Sequence, residues 1–278
     1  MFSILFGLTS ALTWGAADFI GGLASRKTAA YLVVLYAEAF GLLLLLVALP
    51  FANAAIPPWP NLLMALSAGG LASLGLLILY YAMATGQMSV ATPVSALLAA
   101  VLPVVLGLFT DGLPGAAKLS GFLLAFAAIW MIAQESGDKP QLERLSDLSL
   151  PLFSGICFGI YFIVLHRASQ ETLLWPMIAA RAGGALALLV YALYKRGSWR
   201  MERPLWPYIV SNGTLDIGGN AFYILAGQAG RLDIAAVISS LYPGATVILA
   251  ALILKENINL TQKLGILAAL TAIALMTL

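Results

Sequence analysis

The 278-residue sequence is poor in charge and in the residue types on which common enzyme chemistry depends. Asp, Glu, Lys and Arg together make up only 9% of it, far less than a soluble protein needs to cover its surface. A single histidine, His166, leaves histidine-based acid–base or zinc chemistry without a second ring. A single cysteine, Cys157, cannot form an internal disulfide. HExxH, GxSxG, Walker and CxxC motifs are also absent, so we expect no enzyme, no ATP-driven pump, no cofactor, no catalytic residues and no metal site.

Hydrophobic residues take the place of the missing charge. They make up 62% of the chain, and the mean hydropathy is +0.97. The formal net charge of +2 indicates no strongly basic surface, so nucleic acid is not an expected partner. The apolar run from Phe2 to Ala24 has no Lys or Arg before it, which favours a first membrane span over a cleaved signal. The lipid bilayer is therefore the predicted surrounding, because a helix of roughly 20 apolar residues crosses its core.

The apolar runs predict ten spans. One polar segment, 135–149, separates the fifth from the sixth and divides the chain into a first unit (1–134), a linker (135–149) and a second unit (150–278). The predicted spans are 2–24, 30–50, 60–84, 88–109, 115–134, 150–168, 173–194, 204–227, 232–254 and 260–278.

The second unit repeats the first at an offset of 144 residues. Five spans in each copy force the two copies into opposite orientations, and secondary transporters are built from such inverted pairs. We therefore predict an all-α polytopic membrane protein with ten transmembrane helices in two inverted five-helix repeats. The matching positions are Ser10/Ser154, Gly15/Gly159, Gly86/Gly230, Val90/Ile234, Ser95/Ser239, Leu97/Leu241 and Gly121/Gly265.

Four charged residues fall inside predicted spans: Asp18, Glu38, Arg181 and Asp216. Such a side chain costs about 2.5–3.5 kcal/mol at the bilayer centre and usually faces a cavity or a charged partner. Asp216 and Asn220 share one helix face with Asn212, at i, i+4 and i+8. That column predicts either a water-lined, substrate-binding surface or a structural polar network between helices.

Glu38 and Arg181 occupy equivalent places in the two halves, one residue off the general register. Two interpretations stay open. Either Glu38 and Arg181 form a salt bridge that lets both charges exist in lipid, or Arg181 binds a substrate carboxylate while Glu38 binds an amine or a proton. Asp18, Glu38 and Asp216 are the candidates for proton coupling.

Two further stripes complete the predicted substrate-binding set. Trp14 lies one turn from Asp18 and offers a cation–π surface. Ser239 and Tyr242 lie beside Pro243, which removes a backbone hydrogen bond and bends the ninth span. A bend that only shapes packing is the alternative.

Three segments resemble the ten-helix EamA-type branch of the drug/metabolite transporter superfamily: Trp14 to Gly22, Leu215 to Asn220, and Ser239 to Val247. The resemblance implies a central cavity built from the first four helices of each half, with the fifth helices outside it. It also implies transport of amino acids, other metabolites or drugs, typically outward, without ATP.

The leading hypothesis is a secondary transporter that exports small polar or zwitterionic metabolites, such as amino acids, by alternating access. The alternatives are a cationic drug or quaternary-amine carrier, a membrane enzyme or lipid-handling protein, and a non-transporting sensor or scaffold. The expected location is a bacterial inner membrane, and a homodimer stays open. Basic residues favour cytoplasmic loops after the odd-numbered spans, whereas the resemblance implies cytoplasmic termini.

Overall fold

The fold is a helical bundle, seen in a computed structural model that describes residues 2–52, 54–84, 88–132, 149–197, 199–255 and 259–277, the side chains of 83–93, 250 and 277 excepted. The predicted linker, 135–149, lies outside the described residues except for its last position. The helices are α1 (Phe2–Ser25), α2 (Ala30–Ala48), α3 (Trp59–Ala84), α4 (Met88–Thr110), α5 (Ala116–Ile132), α6 (Ser149–Ala168), α7 (Leu174–Lys195), α8 (Trp206–Gln228), α9 (Leu232–Ser239), α10 (Tyr242–Ile253) and α11 (Leu260–Thr277).

Six described spans are long and apolar enough, by length and composition, to cross a membrane: α1, α2, α3, α6, α7 and the span formed by α9 with α10. Shorter apolar helices lie at Val94–Thr110, Ala116–Ile132 and Leu260–Met276. The remaining helix, α8, is long enough but less apolar, because it carries Asn212, Asp216 and Asn220. In lipid a helix is required because it satisfies every backbone polar group within its own segment. The predicted ten-span, all-α fold is confirmed.

The ninth span is interrupted rather than merely bent. The first part, α9, ends at Ser239, and α10 begins at Tyr242. Pro243 has no N–H with which to continue the α-helical ladder. Tighter bonds bridge the gap instead: the Leu241 amide donates to the Ile238 carbonyl at 3.1 Å, and the Gly244 amide donates to the Leu241 carbonyl at 2.9 Å.

Matched hydrogen bonds between the halves follow the repeat. The Ser10 hydroxyl donates to the Gly219 carbonyl at 2.8 Å. At the equivalent positions, the Ser154 hydroxyl donates to the Gly75 carbonyl at 2.9 Å. Each bond runs from the first helix of one half to the third helix of the other. The same contact, made twice with the halves exchanged, is what a pseudo-twofold axis between inverted repeats requires.

Glycines allow the close helix crossings around this axis. A Cβ at Gly69 would overlap the Ala180 backbone, and one at Gly183 would overlap the Leu66 carbonyl, so α3 and α7 meet backbone to backbone. Small residues permit such approach in lipid, where dispersion contacts drive helix association. The fifth helices, α5 and α11, pack on each other, with Gly121 facing Met276 and Gly265 facing Ile132.

Candidate functional site

A cavity with about 600 Å³ of space not filled by atoms, its open mouth included, lies between the two halves near the middle of the spans. Every predicted substrate-binding residue lines it except Ser239: these are Trp14, Asp18, Glu38, Arg181, Asp216, Asn220 and Tyr242. Residues predicted from the sequence thus line the cavity, and their role in substrate binding stays a prediction.

Arg181 lies between two carboxylates. Its Nη1 donates to Glu38 Oε2 at 2.9 Å, and its Nη2 donates to Asp216 Oδ2. The salt-bridge interpretation of Glu38 and Arg181 therefore describes the observed geometry, with Asp216 as a second partner. Glu38 also accepts a hydrogen bond from the Ser73 hydroxyl at 2.7 Å. A Cβ at Gly184 would meet both of these groups, so only glycine leaves room for them.

The network continues along α8 to the sixth helix. The Asn220 amide donates to the Asp216 carbonyl at 2.7 Å. The Asn220 side-chain oxygen accepts the Tyr161 hydroxyl at 2.6 Å. Asn212, the third member of the predicted column, leaves this network. Its amide donates to the Ala17 carbonyl at 2.7 Å, and it does not line the cavity, because α8 turns it towards α1.

Asp18 is partnered differently from the other two cavity carboxylates. Asp18 is buried, with 9% of its surface exposed. Its carboxylate accepts a long hydrogen bond from the Tyr80 hydroxyl, at 3.3 Å. Tyr80 in turn accepts the Asn212 amide at 3.1 Å. Among the described residues, no Lys or Arg forms a salt bridge with Asp18.

Aromatic rings form another part of the cavity wall. Trp14 stacks on Phe162 with ring centroids 5.1 Å apart, and Phe162 stacks on Tyr223 at 4.6 Å. Trp14, Phe162 and Phe158 all line the cavity. The Tyr223 hydroxyl is occupied, because it donates to the Phe162 carbonyl at 2.9 Å.

Ser239 is the one predicted site residue that the structure places elsewhere. It is fully buried, and its hydroxyl lies 3.5 Å from the Gly7 carbonyl. The equivalent Ser95 donates to the Pro151 carbonyl at 3.0 Å, and Pro151 is the repeat equivalent of Gly7. Because the contact recurs in both halves, we read it as a helix-packing bond, and the prediction of Ser239 as a cavity residue is corrected.

Sequence reasoning missed Ser73, Phe158 and Phe162, although the repeat register contained a signal for two of them. Trp14 falls on Phe158 and Asp18 on Phe162 at the offset of 144 residues. Because inverted repeats bring equivalent positions to one axis, both phenylalanines were deducible. No comparable signal marked Ser73, whose role depends on the rotation of α3.

This architecture defines a class: a multi-pass membrane protein whose inverted halves enclose a polar, ionisable cavity at mid-depth, as in secondary transporters. Residues 146–278 match the model of the EamA-like transporter family. Over this range, just under half of the chain, it is similar to a family of transporters rather than of enzymes.

Two further similarities concern the fold and the length of the repeat. A solved crystal structure aligns over 99% of this chain and 96% of its own, with a TM-score of 0.78 and 16% identity, which shows the shared fold. An uncharacterized protein of Methanocaldococcus jannaschii is 24% identical over 129 residues, 46% of this chain and 94% of that protein. That relative is therefore about as long as one repeat.

Proposed function

We propose that this transporter carries small organic cations through alternating access of its two halves to the central cavity. The observation that carries the proposal is the pairing of Arg181, whose guanidinium is already bonded to Glu38 and Asp216. It is therefore not free to bind a substrate carboxylate. Asp18 remains, among the described residues, the cavity carboxylate without a salt-bridge partner.

The charge balance of the cavity favours a cation. Asp18, Glu38 and Asp216 face a single guanidinium, that of Arg181. A buried, unpaired carboxylate is costly, so a positive group beside Asp18 removes a penalty that an anion would increase. The aromatic wall next to it supplies ring faces for a cationic head group and apolar contact for its carbon skeleton.

Amino acids, the substrates predicted first from the sequence, fit less directly. Their carboxylate would have to displace Glu38 or Asp216 from Arg181, whereas a simple amine needs no such exchange. A proton satisfies Asp18 as well as a cation does, so cation entry and proton release can alternate at this one group. Outward transport across a prokaryotic cell membrane remains part of the proposal. The prediction from the sequence was a bacterial membrane.

A contact between the halves supports the alternating-access part. Arg231 donates to the Asp111 carbonyl at 3.2 Å and to the Gly112 carbonyl at 3.1 Å, which joins the start of α9 to the end of α4. The hydrogen bonds that Arg231 donates to Asp233 raise the pKa of Arg231, so its guanidinium stays charged at every physiological pH. The hydrogen bonds between Arg231 and the end of α4 would break when the two halves rock apart at these helix ends.

Asp18→Asn tests the proposal, with Asp111→Asn as the matched control in an exposed loop. We expect purified wild type and Asp111→Asn to bind phenylethylammonium saturably in calorimetry, and Asp18→Asn to bind at least roughly tenfold more weakly, the effect of a lost charged hydrogen bond. Wild-type affinity in Asp18→Asn, or displacement of the amine by acetate at similar concentrations, would contradict the proposal. Proteoliposome flux with and without a pH gradient tests the proton step separately.

A further inference from the structure

The Tyr242 hydroxyl is buried at the cavity without a hydrogen-bond partner. The residue is 4% exposed, and its oxygen contacts no donor or acceptor in the part of the chain that the structure describes. Buried hydroxyls are normally bonded, because an unmade bond leaves the full cost of desolvation. The other cavity tyrosine, Tyr161, follows this rule and donates to Asn220. Tyr242 lines the cavity, and its hydroxyl thus has an open hydrogen-bonding position.

The backbone holds Tyr242 about one helical turn from Asp18. Tyr242 is the first residue of α10, and its carbonyl packs against Gly15 of α1, where a Cβ would overlap it. Thr246, one turn further along α10, donates to the Gly15 carbonyl at 3.0 Å. Asp18 lies three residues after Gly15 on the same helix, so about one turn separates it from this contact. Tyr242 and Asp18 both line the cavity.

Two acceptor residues on the wall of one cavity suit a ligand with several N–H donors. A primary ammonium group donates one bond to the Asp18 carboxylate and another to the Tyr242 oxygen, with its carbon skeleton against Trp14 and Phe162. A quaternary ammonium group keeps the charge but has no N–H, so it leaves the Tyr242 hydroxyl unbonded. A pocket that hydrogen-bonds its substrate rejects an analogue lacking the donor, because its buried polar groups are then unpaired.

We infer that Tyr242 is a specificity-determining residue that selects organic cations bearing N–H groups, primary amines above all, over quaternary ammonium ions. The inference rests on the proposed function, in which Asp18 is the counter-charge for a cation. It narrows the substrate class to amines with at least one proton on nitrogen.

The test compares two probes of equal charge, phenylethylammonium and its N,N,N-trimethyl derivative, by calorimetry on wild type, Tyr242→Phe and Tyr223→Phe. Tyr223→Phe is the matched control, because its hydroxyl bonds the Phe162 carbonyl and the residue does not line the cavity. We expect wild type and Tyr223→Phe to prefer the primary amine by roughly tenfold, about the effect of one charged hydrogen bond. In Tyr242→Phe the preference falls to about one, because primary-amine binding weakens while quaternary-amine binding is unchanged.

The same preference can be read from wild type alone by adding methyl groups to the probe one at a time. We expect the main loss of affinity at the step that removes the last N–H. An unchanged preference in Tyr242→Phe, or equal wild-type affinity for both probes, overturns the inference while Asp18-dependent binding still supports the proposed function. Absence of saturable binding of either probe to wild type overturns both.

Discussion

Replacing Arg181 by methionine should destabilise the protein strongly, and the structure gives the magnitude. The substitution keeps a long side chain but removes the only cation between Glu38 and Asp216 in the described cavity lining. Breaking a buried ion pair by removing one partner costs about 3–5 kcal/mol. The Glu38 side chain is 8% exposed and that of Asp216 is 21% exposed, so water relieves Asp216 in part and Glu38 carries more of the loss.

The expected fall in melting temperature is about 10 °C, because a chain of this size loses roughly 2–4 °C for each kcal/mol. Scanning fluorimetry of the six tryptophans in detergent measures it. Arg167→Met, at an exposed position near the end of α6, serves as the control and should melt like wild type. The triple variant Arg181→Met, Glu38→Gln, Asp216→Asn should regain most of the loss, because it leaves no unpaired charge. Melting of Arg181→Met within about 2 °C of wild type would refute the reasoning.

The triple variant also separates the two transport hypotheses. If Asp18 is the counter-charge for a cation, the triple variant still binds phenylethylammonium, since Asp18 is intact. If Arg181 instead binds a substrate carboxylate, binding of the amine does not test that role. An amino acid that binds to wild type must then fail to bind to the triple variant. A wild type that binds an amino acid more tightly than its decarboxylated amine would favour the carboxylate hypothesis.

Three shorter predictions concern the fold. Gly183→Ala should cost about 1–3 kcal/mol, because its Cβ overlaps the Leu66 carbonyl, whereas Gly70→Ala should be nearly neutral, its closest contact being 3.4 Å. Ser10→Ala and Ser154→Ala should each cost about 1 kcal/mol and match one another in thermal melts, since each removes the same repeated bond. A reporter active only in the cytoplasm, fused after residue 278, should be active if the family resemblance gives the orientation and silent if the loop charges do.

The spans were predictable from sequence because lipid leaves the backbone no alternative to the helix. The structure's α2 (Ala30–Ala48) and α8 (Trp206–Gln228) begin and end within a few residues of the predicted spans. The interruption of the ninth span was only partly predictable. Pro243 predicted a distortion of the helix, but nothing in the sequence predicts that the helix ends at Ser239 and begins again at Tyr242. That outcome depends on how α9 and α10 pack separately against α1.

The charged site residues were predictable for a related reason: burying charge in lipid is so costly that each such residue needs a cavity or a partner. Their partners were less predictable. The repeat suggested Glu38 for Arg181, but Asp216 joined the pair only because α8 presents that side of its polar column to α7. Asn212 lies on the same helix face one turn earlier, and no periodicity distinguishes the two.

The repeat gives the cavity a symmetric shape with an asymmetric chemistry. Asp18 in the first half corresponds to Phe162 in the second, and Ala72 in the first half to Asp216 in the second, and all four line the same cavity. Bonds that hold the helices together, such as those of the Ser10 and Ser154 hydroxyls, are retained in both halves. The charged positions that line the cavity differ between the halves. Because rocking needs two mechanically similar halves and recognition needs one set of unlike groups, these packing bonds repeat while the charged cavity residues do not.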